Sequence, residues 1–394
     1  MPKPFLFKFP LLLLAVSLAL FLAACGSENP TTPSNLNATP SVTRTPASGL
    51  RAAELTGTQG WVNSEPLTMV QLRGKTVLID FWTYTCVNCI RTFPYLKTWW
   101  SKYADDGLVI VGVHTPEFAF EHDLGNVRQA VAEYGIGWPV VQDNNYDTWD
   151  AYNNQYWPAK YLIDQDGVIR YQHFGEGAYA ETEDRIRALL QEAGADLSKI
   201  PAAGLEDQEL DHAFKNTIGA DITSELYGGH ERGCSFASFY SNSSIDSPLY
   251  CQSKDKVATY ADPGQHKNHK LYLQGPWLAE PEAVRHARET QNFEDYLVLR
   301  FAAKSVNVVL SLPPTADQPF KVHVTLNGKN LDQFNKGADV VIEPDGRSYL
   351  VVDKPRMYHV VEAPEYGTYE LKLASNSADF AVYAFTFGVY ESGI

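Results

Sequence analysis

Past its first 22 residues the sequence has no apolar run approaching the ~18 consecutive residues that a membrane-spanning helix needs. Positive charge is scarce: 32 Lys and Arg face 47 Asp and Glu, for a formal net charge of -15. That balance favours solubility and argues against nucleic acid as a partner, without identifying a substrate. Cysteine is scarce too, with five in 394 residues. Cys86 and Cys89 form a C-x-x-C pair, Cys234 and Cys251 lie far from it, and Cys25 stands alone near the start. A zinc site built on C-x-x-C draws on a second knuckle, and none is partnered with this one, so no metal is expected.

The first residues are themselves informative. Lys3 and Lys8 precede an apolar run from Phe9 to Leu22, and small residues follow. This is the layout of a secretory peptide. The string Leu22-Ala23-Ala24-Cys25-Gly26 resembles a bacterial lipobox, in which Cys25 is acylated after removal of residues 1–24. An ordinary signal peptide with an incidental Cys is the alternative; either way the chain is expected outside the cytoplasm, and with the lipid it would be membrane-anchored. Residues 26–50 are rich in Ser, Thr, Pro and Asn and nearly devoid of large apolar side chains. Such a segment buries too little to offset its ordering entropy, so 25–55 is expected to be a flexible tether. In an exported, oxidising setting Cys234 and Cys251 are an even remainder and are expected to form a structural disulfide.

The remaining chain is too long for one ordinary core. From residue 60 strand and helix patterns alternate. Val77–Trp82 and Leu108–Val113 read as strands buried on both faces, with a helix over 89–104 broken by Pro94 and an amphipathic helix over 123–134. Pro139–Gln142, Lys160–Ile163 and Val168–His173 read as further strands, with a short helix over 146–154 and a last one over 180–193 stopped by Gly194. This predicts an α/β domain with a mixed sheet over 56–197. A poorly periodic linker, 198–235, follows. Over 236–394 short β-branched or aromatic runs recur between Asn, Asp, Gly and Pro turns, among them Tyr296–Phe301, Val306–Leu312, Tyr358–Val361 and Tyr369–Leu373. They predict an all-β sandwich of the jelly-roll kind.

The chemistry gathers where strand Val77–Trp82 runs into Cys86-Val87-Asn88-Cys89 ahead of a helix. A thiolate at a helix N-terminus is favoured by unsatisfied N–H groups and the helix dipole, so Cys86 is expected to be exposed, acidic and the attacking sulfur. Cys89, one turn in, would be shielded and resolve the mixed disulfide. Asp80 interrupts an apolar strand just upstream, and a carboxylate is costly to bury unless it is used or paired. It is the candidate acceptor of the Cys89 proton; a strand-end turn residue is the bland alternative.

On these residues a family resemblance appears. Asp80-Phe81-Trp82 before the C-x-x-C, and Tyr156-Trp157-Pro158 before Lys160-Tyr161-Leu162-Ile163-Asp164, resemble the thioredoxin fold of the TlpA/ResA-like redoxin group. The resemblance implies a thioredoxin fold, a site that includes Trp82, and a cis-Pro158 whose loop accepts substrate backbone. Read alone, an X-Pro bond is cis only about one time in twenty. The strings Trp82–Thr92, Val113–Phe118, Tyr156–Tyr161 and Tyr383–Gly388 are similar to the extracytoplasmic part of DipZ proteins. There a thioredoxin-like domain precedes a sandwich resembling a carbohydrate-binding module, and full-length members also carry a CcdA-like membrane electron carrier. Here an export signal and tether stand ahead of the domain, so the resemblance implies a CcdA-like donor acting in trans, and carbohydrate as a possible ligand of the sandwich.

The expected protein is thus a thiol-disulfide oxidoreductase, with reducing activity favoured by the resemblance, acting on protein thiols and disulfides. It needs no cofactor beyond its Cys86–Cys89 couple. A peroxiredoxin-like peroxidase is a rival, but it needs a Pro-x-x-x-Thr/Ser-x-x-Cys setting, and no proline lies in the six residues before Cys86. The other rival is a glycan- or protein-binding lipoprotein with a secondary redox domain. Further candidates carry two readings each: His114, Thr115, Pro116 and Glu117 as an active-site rim or a solvated loop, Glu176 as a neighbour of the dithiol or a turn acid, and Trp277 and Tyr296 as sugar platforms or core.

Overall fold

A computed structural model describes residues 49–202, 221–234, 244–313 and 318–388. The expected export signal, Cys25 and most of the expected tether lie outside them. The first sheet has strand order β1-β4-β3-β2-β5-β6, from β1 (Trp61–Val62), β2 (Thr76–Trp82), β3 (Leu108–His114), β4 (Val140–Gln142), β5 (Ala159–Ile163) and β6 (Ile169–Phe174). Strands β4, β3 and β2 run parallel, and β1, β5 and β6 pair antiparallel. Helices α1 (Val87–Tyr103), α2 (Leu124–Glu133), α3 (Asp147–Ala151) and α4 (Tyr179–Glu192) complete the layers.

All seven residues of β2 are buried because the strand is central and covered on both faces. Side chains alternate along a strand, and the two cores follow that alternation. Leu78 and Trp82 join a core with Leu96 and Trp99 of α1; Val77, Ile79 and Phe81 face the opposite core with Trp149 of α3. Asp80 therefore shares the face of Leu78 and Trp82, toward α1. Helix α1 runs through Pro94 instead of breaking there. A mid-helix Pro removes one hydrogen bond, but Phe93, Tyr95, Leu96 and Trp99 on either side of it are buried and hold the helix in place.

The second sheet system is all-β. Long strands join its two layers: the first part of β11 (Tyr296–Leu310) pairs with β9 (Lys270–Ala279), and its second part with β17 (Ala381–Gly388). Between them the register shifts at Ala303/Ser305 against β16 (Arg356–Ser375). The apolar interior includes Trp277, Leu299, Phe301, Leu350, Tyr358 and Phe385. Cys234 and Cys251 are disulfide-bonded with Cα atoms 5.7 Å apart.

Two expected boundaries shift. Leu226 and Tyr227 pair with Phe385 and Ala384, so the end of the 198–235 segment belongs to the sandwich and not to a linker. At the start, Ala52 donates to Gly167 and Leu55 is buried in the first domain, so ordered structure begins within the span expected as tether. All described residues fall in one compact unit, Pro46–Ile394.

Candidate active site

The chain leaves β2 at Trp82 and reaches Cys86 through three residues. Cys86 is the N-cap of α1: its Sγ accepts the Cys89 backbone N–H at 3.2 Å, and its carbonyl accepts that of Ile90 at 3.1 Å. Both cysteines are free thiols. Cys89 is fully buried, as its position one turn in requires. Cys86 is half-buried, not open, and here the expectation of an exposed, acidic sulfur fails in part. Burial pushes its thiol up, and the neighbouring Cys89 and the charge of Glu117 push the same way; the Cys89 N–H opposes them. Burial also raises Cys89, against hydrogen bonds involving Cys86 and Thr83.

Asp80 and Lys160 are register partners across β2 and β5. The Lys160 ammonium lies 3.4 Å from Oδ1 of Asp80, with both side chains out of solvent. Burial raises the Asp80 pKa while Lys160 lowers it. Both charges also act on Cys89, so the pair lies within electrostatic reach of the inner sulfur. Sequence reasoning singled out Asp80 and missed Lys160. The signal was present: Lys160 is the one charge in the buried strand Ala159–Ile163, as Asp80 is in β2, and two such charges need each other.

The Trp157–Pro158 peptide is cis. Ala159 pairs with Phe81, so Pro158 stands at the end of the sheet from which the chain runs on to Cys86. Its carbonyl accepts the Gly175 N–H at 2.8 Å. Trp82 is buried beneath the site, edge-on to Phe93 and His114 with ring centroids 5.4 and 5.0 Å away. It shapes the floor of the site and does not meet solvent.

Of the expected rim, His114, Thr115 and Pro116 are buried, and desolvation lowers His114 to about 3, so it stays neutral. Glu117 is half-buried and pairs with Arg232. Glu176 reaches Arg91 of α1 at 3.3 Å, two residues beyond Cys89, so it does belong to the neighbourhood of the dithiol. Glu121 was missed. Its buried carboxylate accepts from the Thr85 hydroxyl at 2.7 Å and the Phe118 N–H at 3.0 Å, tying the approach to Cys86 to the loop after β3. Burial raises it to about 7, reinforced by Glu117. Glu121 lies in a one-turn 3-10 helix, Ala119–His122, too short to give a periodic signal. In the sandwich, Trp277 is core, and Tyr296 donates to Asp262 with Lys372 3.6 Å over its ring. Trp277 is shut off from solvent, and Lys372 covers one face of Tyr296.

An N-capping thiol with a second sulfur behind it, backed by a buried acid, can pass two electrons by sulfur exchange, the chemistry of thioredoxin-fold thiol-disulfide oxidoreductases. Comparison with known proteins agrees. The Redoxin family model matches residues 47–190, and the model described as Thioredoxin like C-terminal domain matches residues 223–388. Protein DipZ of Mycobacterium tuberculosis (strain CDC 1551 / Oshkosh) is 50% identical over 145 residues, covering 36% of this chain and 21% of DipZ. The chain thus spans about a fifth of that relative. Thiol-disulfide oxidoreductase YkuV of Bacillus subtilis (strain 168) is 35% identical over 140 residues, 35% of this chain and 93% of YkuV. Thiol-disulfide oxidoreductase ResA of Halalkalibacterium halodurans is 29% identical over 132 residues, 34% of this chain and 72% of ResA. The chain belongs to the thioredoxin-like, redoxin family of thiol-disulfide oxidoreductases.

Proposed function

We propose that this protein is an exported, lipid-anchored dithiol reductase of protein disulfides. Cys86 gives up its proton to solvent and attacks one sulfur of a partner disulfide as the thiolate; the partner S–S bond breaks, a Cys86–partner bond forms, and the second partner sulfur leaves as a thiolate that takes up a proton. Cys89 then attacks Cys86, closing the internal disulfide and releasing the other partner thiolate. Two electrons pass to the partner, and the Cys89 proton goes to Asp80. The Pro158 loop holds the partner backbone beside Cys86. The observation that carries this reading is the Cys86 N-cap with the Asp80–Lys160 pair behind Cys89. The lipobox-like string ending in Cys25 supports the anchor, and the resemblance to DipZ proteins supports a CcdA-like membrane donor in trans that re-reduces the couple.

A Cys89→Ser variant tests it. Cys86 is expected to accumulate as mixed disulfides whose partners mass spectrometry identifies. If nothing is captured and the wild-type protein is inert toward disulfides, the reading is wrong. Replacing Cys25 should release the protein from membranes; unchanged fractionation rejects the anchor.

A further inference from the structure

One side of the dithiol is covered. Val87, the residue after Cys86, is 2% exposed. With Phe118 it packs into one apolar cluster with Val309, Met357 and Ala384 of the sandwich. The ring of Tyr383 meets Phe118 edge-on at 5.3 Å. Polar contacts clasp the margins: the Ala119 N–H donates to Glu282 at 2.9 Å, and Lys354 pairs with Glu133. A side chain in the first turn of a helix projects past the helix end, so burying Val87 takes a second body, and that body is the sandwich.

This seam lies on one side of the attacking sulfur, which keeps only partial exposure. The flank beside Pro158 is open: Tyr156 and Phe174 are 54% and 44% exposed, with ring centroids 5.5 Å apart. Sulfur exchange needs the incoming disulfide in line with Cys86 Sγ. A folded partner would have to press its surface against ground that Val309, Met357 and Ala384 already occupy.

We propose that the sandwich is the second wall of the substrate site and selects disulfides by bulk, admitting those on narrow, extended segments and excluding those set in the surface of a folded domain. The inference rests on the dithiol-exchange reading and names which partners that chemistry reaches. Val309, Met357 and Ala384 are its specificity-determining residues. The pKa of Cys86 is consistent with the same closure, since burial is the main cause holding its thiol up.

The test uses the reduced full-length protein and two probes with the same sequence around the cysteine. One is a linear peptide dimer joined by a disulfide. The other is a ubiquitin dimer joined by a disulfide between engineered surface cysteines. The wild-type rate constant is expected to be roughly tenfold or more lower for the folded dimer. Met357→Asp, which places a charge in the seam, should raise the ratio of the folded-dimer rate to the peptide rate by roughly tenfold. Should Met357→Asp fail to fold, the double variant Glu282→Lys, Lys354→Glu loosens the clasp from outside and is expected to act in the same direction. Equal wild-type rates on the two probes, or an unchanged ratio in a folded seam variant, would overturn the inference. A wild-type protein that reduces neither probe would instead remove the dithiol-exchange reading and this inference with it.

Discussion

Lys160 Nζ stands 3.4 Å from Asp80 Oδ1, and each charge is the other's counterion in a part of the protein that solvent does not reach. Desolvation raises Asp80 and Lys160 restrains it. A carboxylate whose pKa is raised in this way is a better acceptor for a proton from the nearby thiol, because its protonated form is favoured.

Lys160→Met is therefore expected to raise the Asp80 pKa further, moving the acidic limb of the rate–pH profile for insulin-disulfide reduction to higher pH. Asp80→Asn should instead slow release of the mixed disulfide by roughly a hundredfold at neutral pH while Cys86 still attacks. Stability follows linkage. An acid whose folded pKa lies above its usual 3.8 binds protons preferentially in the native state, so stability is lost as pH rises through that interval. In Lys160→Met the loss should extend to higher pH and reach about 3 kcal/mol once Asp80 is ionised alone. Denaturant titrations across pH measure it, and a profile parallel to wild type would contradict the coupling.

Glu121 makes a second pH prediction. Its folded pKa of about 7 lies above the usual 4.5, so stability should fall as pH rises between these values and level off beyond them. Glu121→Gln removes the titration, and its stability should change less than wild type over that window. Gln keeps one acceptor oxygen and turns the other into a donor, so either the Thr85 or the Phe118 contact is lost, read as faster amide exchange at that residue.

Gly112 sits opposite Asp80 on β3, and a Cβ there would lie 2.9 Å from Trp82 Nε1 and 3.3 Å from Val140 Cγ2. Gly112→Ala is expected to cost about 1–3 kcal/mol by overpacking. Trp82 should shift with it, read as a changed tryptophan emission in the folded variant; an unchanged spectrum at full stability would show that the site floor has slack.

The Cys234–Cys251 bridge closes a short loop of the sandwich. The double Cys→Ser variant should lose roughly 3 kcal/mol. Amide exchange should speed in the second sheet and much less in β2 and β3, because the bridge constrains only the sandwich.

The first domain was largely legible because its elements obey simple periodicities. The β2 run, the α2 face and the Gly194 stop after α4 all stand where the pattern puts them. The sandwich was legible as a class but not as strands. Tyr296–Phe301 and Val306–Leu312 fall largely in one strand, β11, which runs on through a register shift between Ala303 and Ser305. Tyr358–Val361 and Tyr369–Leu373 likewise merge in β16, since Pro364 and Gly367 lie in extended chain. At the site, the sequence offered Cys86, Cys89 and Asp80 through spacing and the oddness of a charge in a buried run. Glu121 and the burial of Val87 depend on contacts between segments distant in sequence, which no local pattern encodes.

Strand β2 has a partner on each side, β3 and β5, and its residues are shut off from water on both faces. Such backbone amides exchange with solvent only through the largest openings a domain undergoes. The dithiol hangs directly from the end of that strand, so partial fraying of loops or edges should leave its sulfurs in register. Loss of redox competence on heating should then coincide with global unfolding of the first domain and not precede it.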